Sequence, residues 1–387
     1  LARFLQLDRP PAVATGEKIP PVPADAVRTF VFTANLAAQE SSGDTASSVS
    51  VERVLHRLQG SSESDAVLLT LVDDAVAPLP ATAGVSDLGY PLLPSVAGDS
   101  TREAETGPAE FLGFVHLSLP LLEDRHVIEF ECVLDVGLLP IPGEELSGEG
   151  REVYGRLLDE VEAVARQLGR TTLQVWLMHP AGEQPGAGPL ARELAARGFI
   201  LGLAEIQGVL ELPVPAPDET PLPEGVTCTV VHGYEVPGEL TDGVLELMTA
   251  ASTDIPHGGL DAERAVWTRE RLRQAAVRLR GRGTENLMVV LHGVGGVLAL
   301  TEFSRHPGSD PAVAEQGVTI VAPRARGRGL GRAVKVVGLE RLRSAMPRVE
   351  RVYTSNALAN TGMRAVNADL GVRPISVSSA WQKVTAR

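Results

Sequence analysis

Val318–Lys335 reads VTIVAPRARGRGLGRAVK. A β-branched and apolar run, Val318, Thr319, Ile320 and Val321, is cut off by Pro323, which cannot donate to a sheet ladder. Gly327, Gly329 and Gly331 then alternate with Arg324, Arg326, Arg328 and Arg332. Leu330, Ala333, Val334, Val337 and Leu342 recur at helical spacing. The stretch predicts a strand, a glycine turn and a helix from about Gly329 to Ala345. The first N–H groups of a helix have no partner inside it, and its dipole adds partial positive charge there. Glycine lets a ligand approach that backbone closely. Such a turn suits an anion, and a phosphate chain above all.

The surrounding sequence completes a mixed α/β domain around one sheet. Before the turn come a strand at Val226–His232 and helices at Val236–Ala251 and Ala262–Gly281. Strands at Leu287–His292 and Val297–Phe303 follow, joined by Gly293–Gly296. After it come a strand at Arg351–Thr354, a helix at Asn360–Leu370 stopped by Gly371, and a last strand at Ile375–Val384. Upstream, PVPAPDETPLPEG (Pro213–Gly225) reads as a linker. Ahead of it the order partly repeats: strands at Leu112–Leu119 and His126–Leu134, a helix at Gly150–Leu168, a strand at Leu173–Met178, a helix at Leu190–Gly198 and a strand at Ala204–Leu212. An internal duplication is expected, with domains at 1–212 and 226–387. Arg9–Ala24 reads as an extended lead-in and Pro78–Gly107 as a long surface loop.

The chain's 387 residues suit two domains. Its net charge of −14 argues against a general nucleic-acid binder. Its two cysteines exclude a disulfide framework. No apolar stretch approaches the ~20 residues that span a bilayer, and no signal peptide is visible. A cytoplasmic protein without membrane or nucleic-acid partners is expected. The histidines show no metal-ligand spacing, so no metal is expected.

The turn resembles the fingerprint of the GNAT superfamily of acyl-CoA-dependent N-acyltransferases, Gln/Arg-x-x-Gly-x-Gly/Ala, through Arg326, Gly329 and Gly331. Asn360 resembles the family's asparagine at the start of the helix after the fifth strand. The likeness covers about 160 residues from Val226 onward, and its specific part is Thr319–Gly371. The resemblance implies an α+β fold of two tandem GNAT-like domains, each a mostly antiparallel sheet flanked by helices. It implies acetyl-CoA or another acyl-CoA as co-substrate. Thr319, Ile320 and Val321 would line its pantetheine. Arg326, Gly327, Arg328, Gly329, Leu330, Gly331 and Arg332 would hold its phosphates, with Asn360 beside it. The earlier copy of the turn, EELSGEGREVYGRLL, keeps Gly148 and Gly150 but puts Glu145 where Arg326 stands. Its carboxylates would repel a pyrophosphate, so a degenerate copy is expected.

Acyl transfer needs a neutral amine, which favours a general base. Glu315, eleven residues before Arg326, resembles the catalytic glutamate of histone-type members. Glu302 is the second candidate. A tyrosine that protonates the departing thiolate in this family is replaced by Asn367, which cannot act as an acid. Tyr353 is a substitute, or the thiolate leaves through water. Asp254 and His257 lie where members build acceptor sites. The resemblance implies acetyl transfer to a small-molecule amine by direct attack. A protein or peptide acceptor, or a non-catalytic acyl-CoA-binding scaffold, are the alternatives.

Overall fold

The structure, a computed structural model, describes residues 2–11, 22–45, 47–73, 84–97, 110–214 and 222–385. Parts of the expected lead-in, of the 78–107 loop and of the linker lie outside the described residues. The chain forms two compact units.

Unit 1 comprises Leu1–Ala204, Gly258–Ala262 and Ser376–Arg387. Its elements are β1 (Ala2–Leu7), α1 (Asp25–Ser42), α2 (Val51–Leu58), β2 (Ser64–Asp73), β3 (Leu92–Leu93), β4 (Phe111–Pro120), β5 (Val127–Leu134), α3 (Gly148–Leu168), β6 (Thr172–Pro180), α4 (Pro189–Ala196) and the start of β7 (Ile200–Glu211). Ser50 caps α2 by accepting from the Arg53 N–H at 3.2 Å. Gly169, at φ 66°, ends α3. β2 pairs antiparallel with β4, and β4 with β5. β5 runs parallel to β6.

Unit 2 comprises Glu205–His257 and Glu263–Ile375. It holds the rest of β7, then β8 (Thr227–His232), α5 (Gly238–Asp254), α6 (Arg269–Gly281), β9 (Glu285–Gly293), β10 (Gly296–Arg305), β11 (Val313–Val321), α7 (Leu330–Ala345), β12 (Arg351–Ala357) and α8 (Thr361–Asp369). Its strands lie in the order β7-β12-β11-β10-β9-β8. α6 starts later than the sequence suggests, because Thr268 caps it by accepting from the Arg271 N–H at 3.1 Å.

These units depart from the linear division at 213–225. β7 precedes the linker, yet its Glu205–Glu211 pairs antiparallel with Arg351–Ala357 of unit 2. The last strand, β13 (Arg373–Val384), follows α8, yet its Ser376–Val384 pairs with Thr172–Pro180 of unit 1. Ladder pairing, not chain order, decides which unit each strand completes.

Candidate active site in unit 2

β11 and β12 run parallel only from Val313↔Arg351 to Gln316↔Thr354. β12 then follows β7 as far as Ala357↔Glu205, while β11 stays on β10. The two strands therefore part, and Gly317–Val321 has no ladder partner on the β12 side. A bulge between Thr301 and Phe303 lies at the start of the opening. Thr319, Ile320 and Val321 all fall on this open half. Thr319 is fixed by a 2.8 Å bond to Thr301.

The open half leads into the glycine turn. A short 3-10 turn, Pro323–Ala325, is followed by Gly327 and Gly329, both at φ 73°. A Cβ built on either meets nothing within 4 Å, so the space over the turn is open. Gly329 is the N-cap of α7 and supplies no side-chain cap. Leu330 is buried and anchors the turn. The first N–H groups of α7 are therefore left for a ligand. Arg328 is exposed and has no side-chain partner among the described residues. Arg332 pairs with Asp369 at 2.5 Å. Arg326 is held by Asp254 at the end of α5, so Asp254, expected near the acceptor, orients a residue of the glycine turn. Arg324 bonds the carbonyls of Gly295 and Val297 at 2.9 and 2.6 Å and locks the turn to the β9–β10 hairpin.

The equivalent turn of unit 1 is filled by its own chain. Ser147 caps α3, accepting from the Gly150 N–H at 2.9 Å. A Cβ on Gly150 would stand 2.8 Å from Leu146 Cδ1 and 3.0 Å from the Leu138 carbonyl. Glu145 is paired with Arg192.

The structure separates the two base candidates. Glu315 lies on the closed half of β11, opposite Tyr353, half-exposed and 3.5 Å from His306. Glu302 is 8% exposed and stands at the bulge, with its Cβ 3.9 Å from a Cβ built on Gly317. Tyr234 donates to both its carboxylate oxygens, at 3.1 and 2.9 Å. Burial raises the Glu302 carboxyl above its ordinary range, and bonds from Tyr234 and Asn286 offset part of the rise. Tyr234 itself sits at φ 67°, which costs a non-glycine residue about 1 kcal/mol. Its ring meets the edge of Trp267, with centroids 6.1 Å apart. Neither aromatic was among the residues read from sequence; the turn at Gly233–Tyr234 gave no chemical signal.

Asn360 caps α8, its Oδ1 accepting from the Met363 N–H at 3.2 Å. Its amide N–H2 has no partner among the described residues. His257 donates from Nε2 to the Ser252 carbonyl at 2.9 Å and ties down the α5 end. Tyr353 accepts from Arg351 at 3.2 Å on the paired half of β12, one residue before the last pair with β11. Asn367 is buried and accepts from the ammonium of Lys335, which is 2% exposed. Lys335 was missed, although a lysine inside the apolar run Ala333–Leu339 marks it.

Burial lowers the Lys335 pKa to about 8. The unfolded value is ~10.4, so between these pH values the unfolded chain binds more protons than the folded one. Stability should therefore rise with pH across that window, by on the order of 3 kcal/mol. Lys335→Met should abolish the rise, which urea titrations across the window would measure.

Among the described residues, no group of three or more His, Cys, Asp or Glu is placed to hold a metal ion. No helix among them is long and apolar enough to cross a membrane. Neither cysteine forms a disulfide.

Parted parallel strands running into a helix start without a side-chain cap offer an extended, anion-compatible opening. No protein-family model matches the chain. The mycothiol acetyltransferase of Salinispora arenicola (strain CNS-205) is 30% identical over 232 residues, 57% of this chain and 67% of the relative. That of Rhodococcus opacus (strain B4) is 28% identical over 305 residues, 76% of this chain and 87% of the relative. Among solved structures, a tandem GNAT protein from the clavulanic acid biosynthesis pathway matches with a TM-score of 0.65 and 21% identity, covering 100% of this chain and 99% of its own. A GCN5-related N-acetyltransferase from Sphaerobacter thermophilus matches with a TM-score of 0.58 and 17% identity, covering 98% and 95%. The chain belongs to the GNAT superfamily, in its tandem form, and is an N-acetyltransferase.

Proposed function

We propose that unit 2 binds acetyl-CoA and passes its acetyl group to the amine of a small molecule, with Glu302 as general base. The carrying observation is the opening of β11 from β12 where it leads into the uncapped start of α7. The pyrophosphate would lie on the α7 N–H groups with Arg328, and the pantetheine along Thr319–Val321. Backbone N–H groups of the open half of β11 are the donors within reach of a thioester carbonyl. The acceptor would enter beside Tyr234 and Trp267. Glu302 would take its proton there as the nitrogen attacks in a ternary complex. Unit 1 serves as a scaffold, its own turn being capped by Ser147 and filled by Leu146. Use of a CoA-thioester donor supports a cytoplasmic reaction.

The net charge of −14 suits a cationic acceptor such as an amino sugar, and the name of the relatives adds mycothiol lacking its acetyl group to the panel. Acetyl-CoA is expected to bind with a micromolar dissociation constant by calorimetry, and free thiol to appear with at least one amine of this panel. Absence of binding at millimolar acetyl-CoA would sink the reading. Binding without thiol release would leave an acyl-CoA-binding scaffold.

A further inference from the structure

The amine and its base account for one half of the reaction, and the departing sulfur for the other. Gly331 begins the α7 stripe that faces the opening, since a Cβ built on it lies 3.6 Å from Val321 Cγ2. Lys335 is one turn further along the same stripe. A helix between two parallel strands runs back against them. Four helical residues rise about 6 Å, and two strand residues about 6.6 Å. Lys335 therefore stands level with Thr319, in the middle of the open half of β11. From the other side, α8 places Asn367 on its ammonium.

Among the described residues no carboxylate pairs with that ammonium. The charged neighbours on α7 and α8 are Arg332, Asp369 and Arg364. Arg332 and Asp369 are paired with each other at 2.5 Å, and Arg364 is held on the Leu358 carbonyl at 2.9 Å. Gly317–Val321 contributes no charge. Of the chain's 35 Lys and Arg residues only three are lysine: Lys18, Lys335 and Lys383. An arginine cannot release its proton, whereas a buried lysine can. Glu302 lies on the opposite face of the sheet, because Thr301 and Phe303 are the β10 residues that meet Gly338 of α7.

We propose that Lys335, held on Asn367 beside the open half of β11, gives its proton to the thiolate that leaves when the thioester is cleaved. The assignment rests on the acetyltransferase reading above. The amine nitrogen bonds to the carbonyl carbon and loses its proton to Glu302. The C–S bond breaks, its electron pair goes to sulfur, and sulfur takes the Lys335 proton. Solvent returns one proton from Glu302 to Lys335, so the cycle balances as thioester plus amine giving amide plus thiol. Asn367, read from sequence as the residue at the acid's position, becomes the acceptor that orients the acid.

The test compares wild type with Lys335→Met, using acetyl-CoA and the panel amine that turns over fastest. In the wild type, kcat is expected to fall as pH rises through about 8, because only the protonated lysine donates. The variant should lose about 10²-fold in kcat and lack that limb, while its dissociation constant for acetyl-CoA stays within about threefold. With [ε-13C]lysine, one of three resonances should titrate near pH 8 in the ligand-free protein, and it should be absent from the variant. Absence of thiol release from the wild type would overturn the acetyltransferase reading and this assignment together. Turnover with an unchanged kcat and an unchanged basic limb in the variant would overturn this assignment alone.

Discussion

Glu302→Gln is expected to lower kcat by about 10²–10⁴-fold, the usual contribution of a positioned base. Glutamine keeps the shape of the side chain and can still bond Tyr234, but it cannot take a proton. Acetyl-CoA affinity should be nearly unchanged, because Glu302 lies at the start of the opening and not on the phosphate turn. The pH profile identifies the mechanism. Burial holds the Glu302 carboxyl above its ordinary range. Below that raised value the group keeps its proton and cannot act, so wild-type kcat should rise with pH through it. The variant should lose this acidic limb. Tyr234→Phe should move the limb to higher pH, because it removes the one hydroxyl proton shared between both carboxylate oxygens, which favours the carboxylate. Stability should move the other way from activity. The folded pKa lies above the unfolded ~4.3, so the folded state binds more protons between them and loses stability as pH rises through that window. The glutamine side chain has no proton to lose, and the variant should melt no earlier than wild type at neutral pH. A profile that keeps its acidic limb in Glu302→Gln would move the base elsewhere.

The strand, glycine turn and helix of the candidate site were legible because their causes are local. A β-branched run, a proline, three glycines and a helical stripe fix the strand, turn and helix within the stretch Val318–Lys335, and Asn360 caps the helix it begins. The surroundings of Glu302 were not legible, because burial is set by residues far apart in sequence. Glu302 gains its environment from Tyr234, 68 residues earlier. Glu315 had the family's spacing, and the ladder places it on the paired half of β11, opposite Tyr353. Asp254 and Arg326 were read as parts of two different sites and turn out to be one pair. The exchange of β7 and β13 between units has no local signature, since any strand with an apolar face can add to either edge. In unit 1, Glu145 in the place of Arg326 marked the turn at Gly148 and Gly150 as a degenerate copy. Their neighbours Leu146 and Ser147 decide that it is a packed corner.

Gly331→Glu is expected to weaken acetyl-CoA binding by at least about 10²-fold, or about 2.7 kcal/mol. Gly329 is the less informative position, because any side chain there carries the strain of φ 73° as well as the steric block. Gly331 has no positive φ, and its new Cβ meets only Val321 Cγ2 at 3.6 Å, an ordinary contact. The added carboxylate lies in the first turn of α7, where the helix dipole favours negative charge by about 0.3–1 kcal/mol. The fold should therefore survive, and the melting temperature should hold or rise slightly. The same carboxylate competes for the N–H groups left uncapped by Gly329 and repels a pyrophosphate at short range. Gly331→Ala separates the two effects: it adds bulk without charge and should cost far less. In unit 1, a Cβ built on Gly148 meets nothing within 4 Å, and Gly148→Glu should leave both fold and binding as they are. Calorimetric titration of the four proteins orders them directly. Equal losses from Gly331→Glu and Gly148→Glu would mean that both turns hold the donor. Loss from Gly148→Glu alone would move the donor site to unit 1.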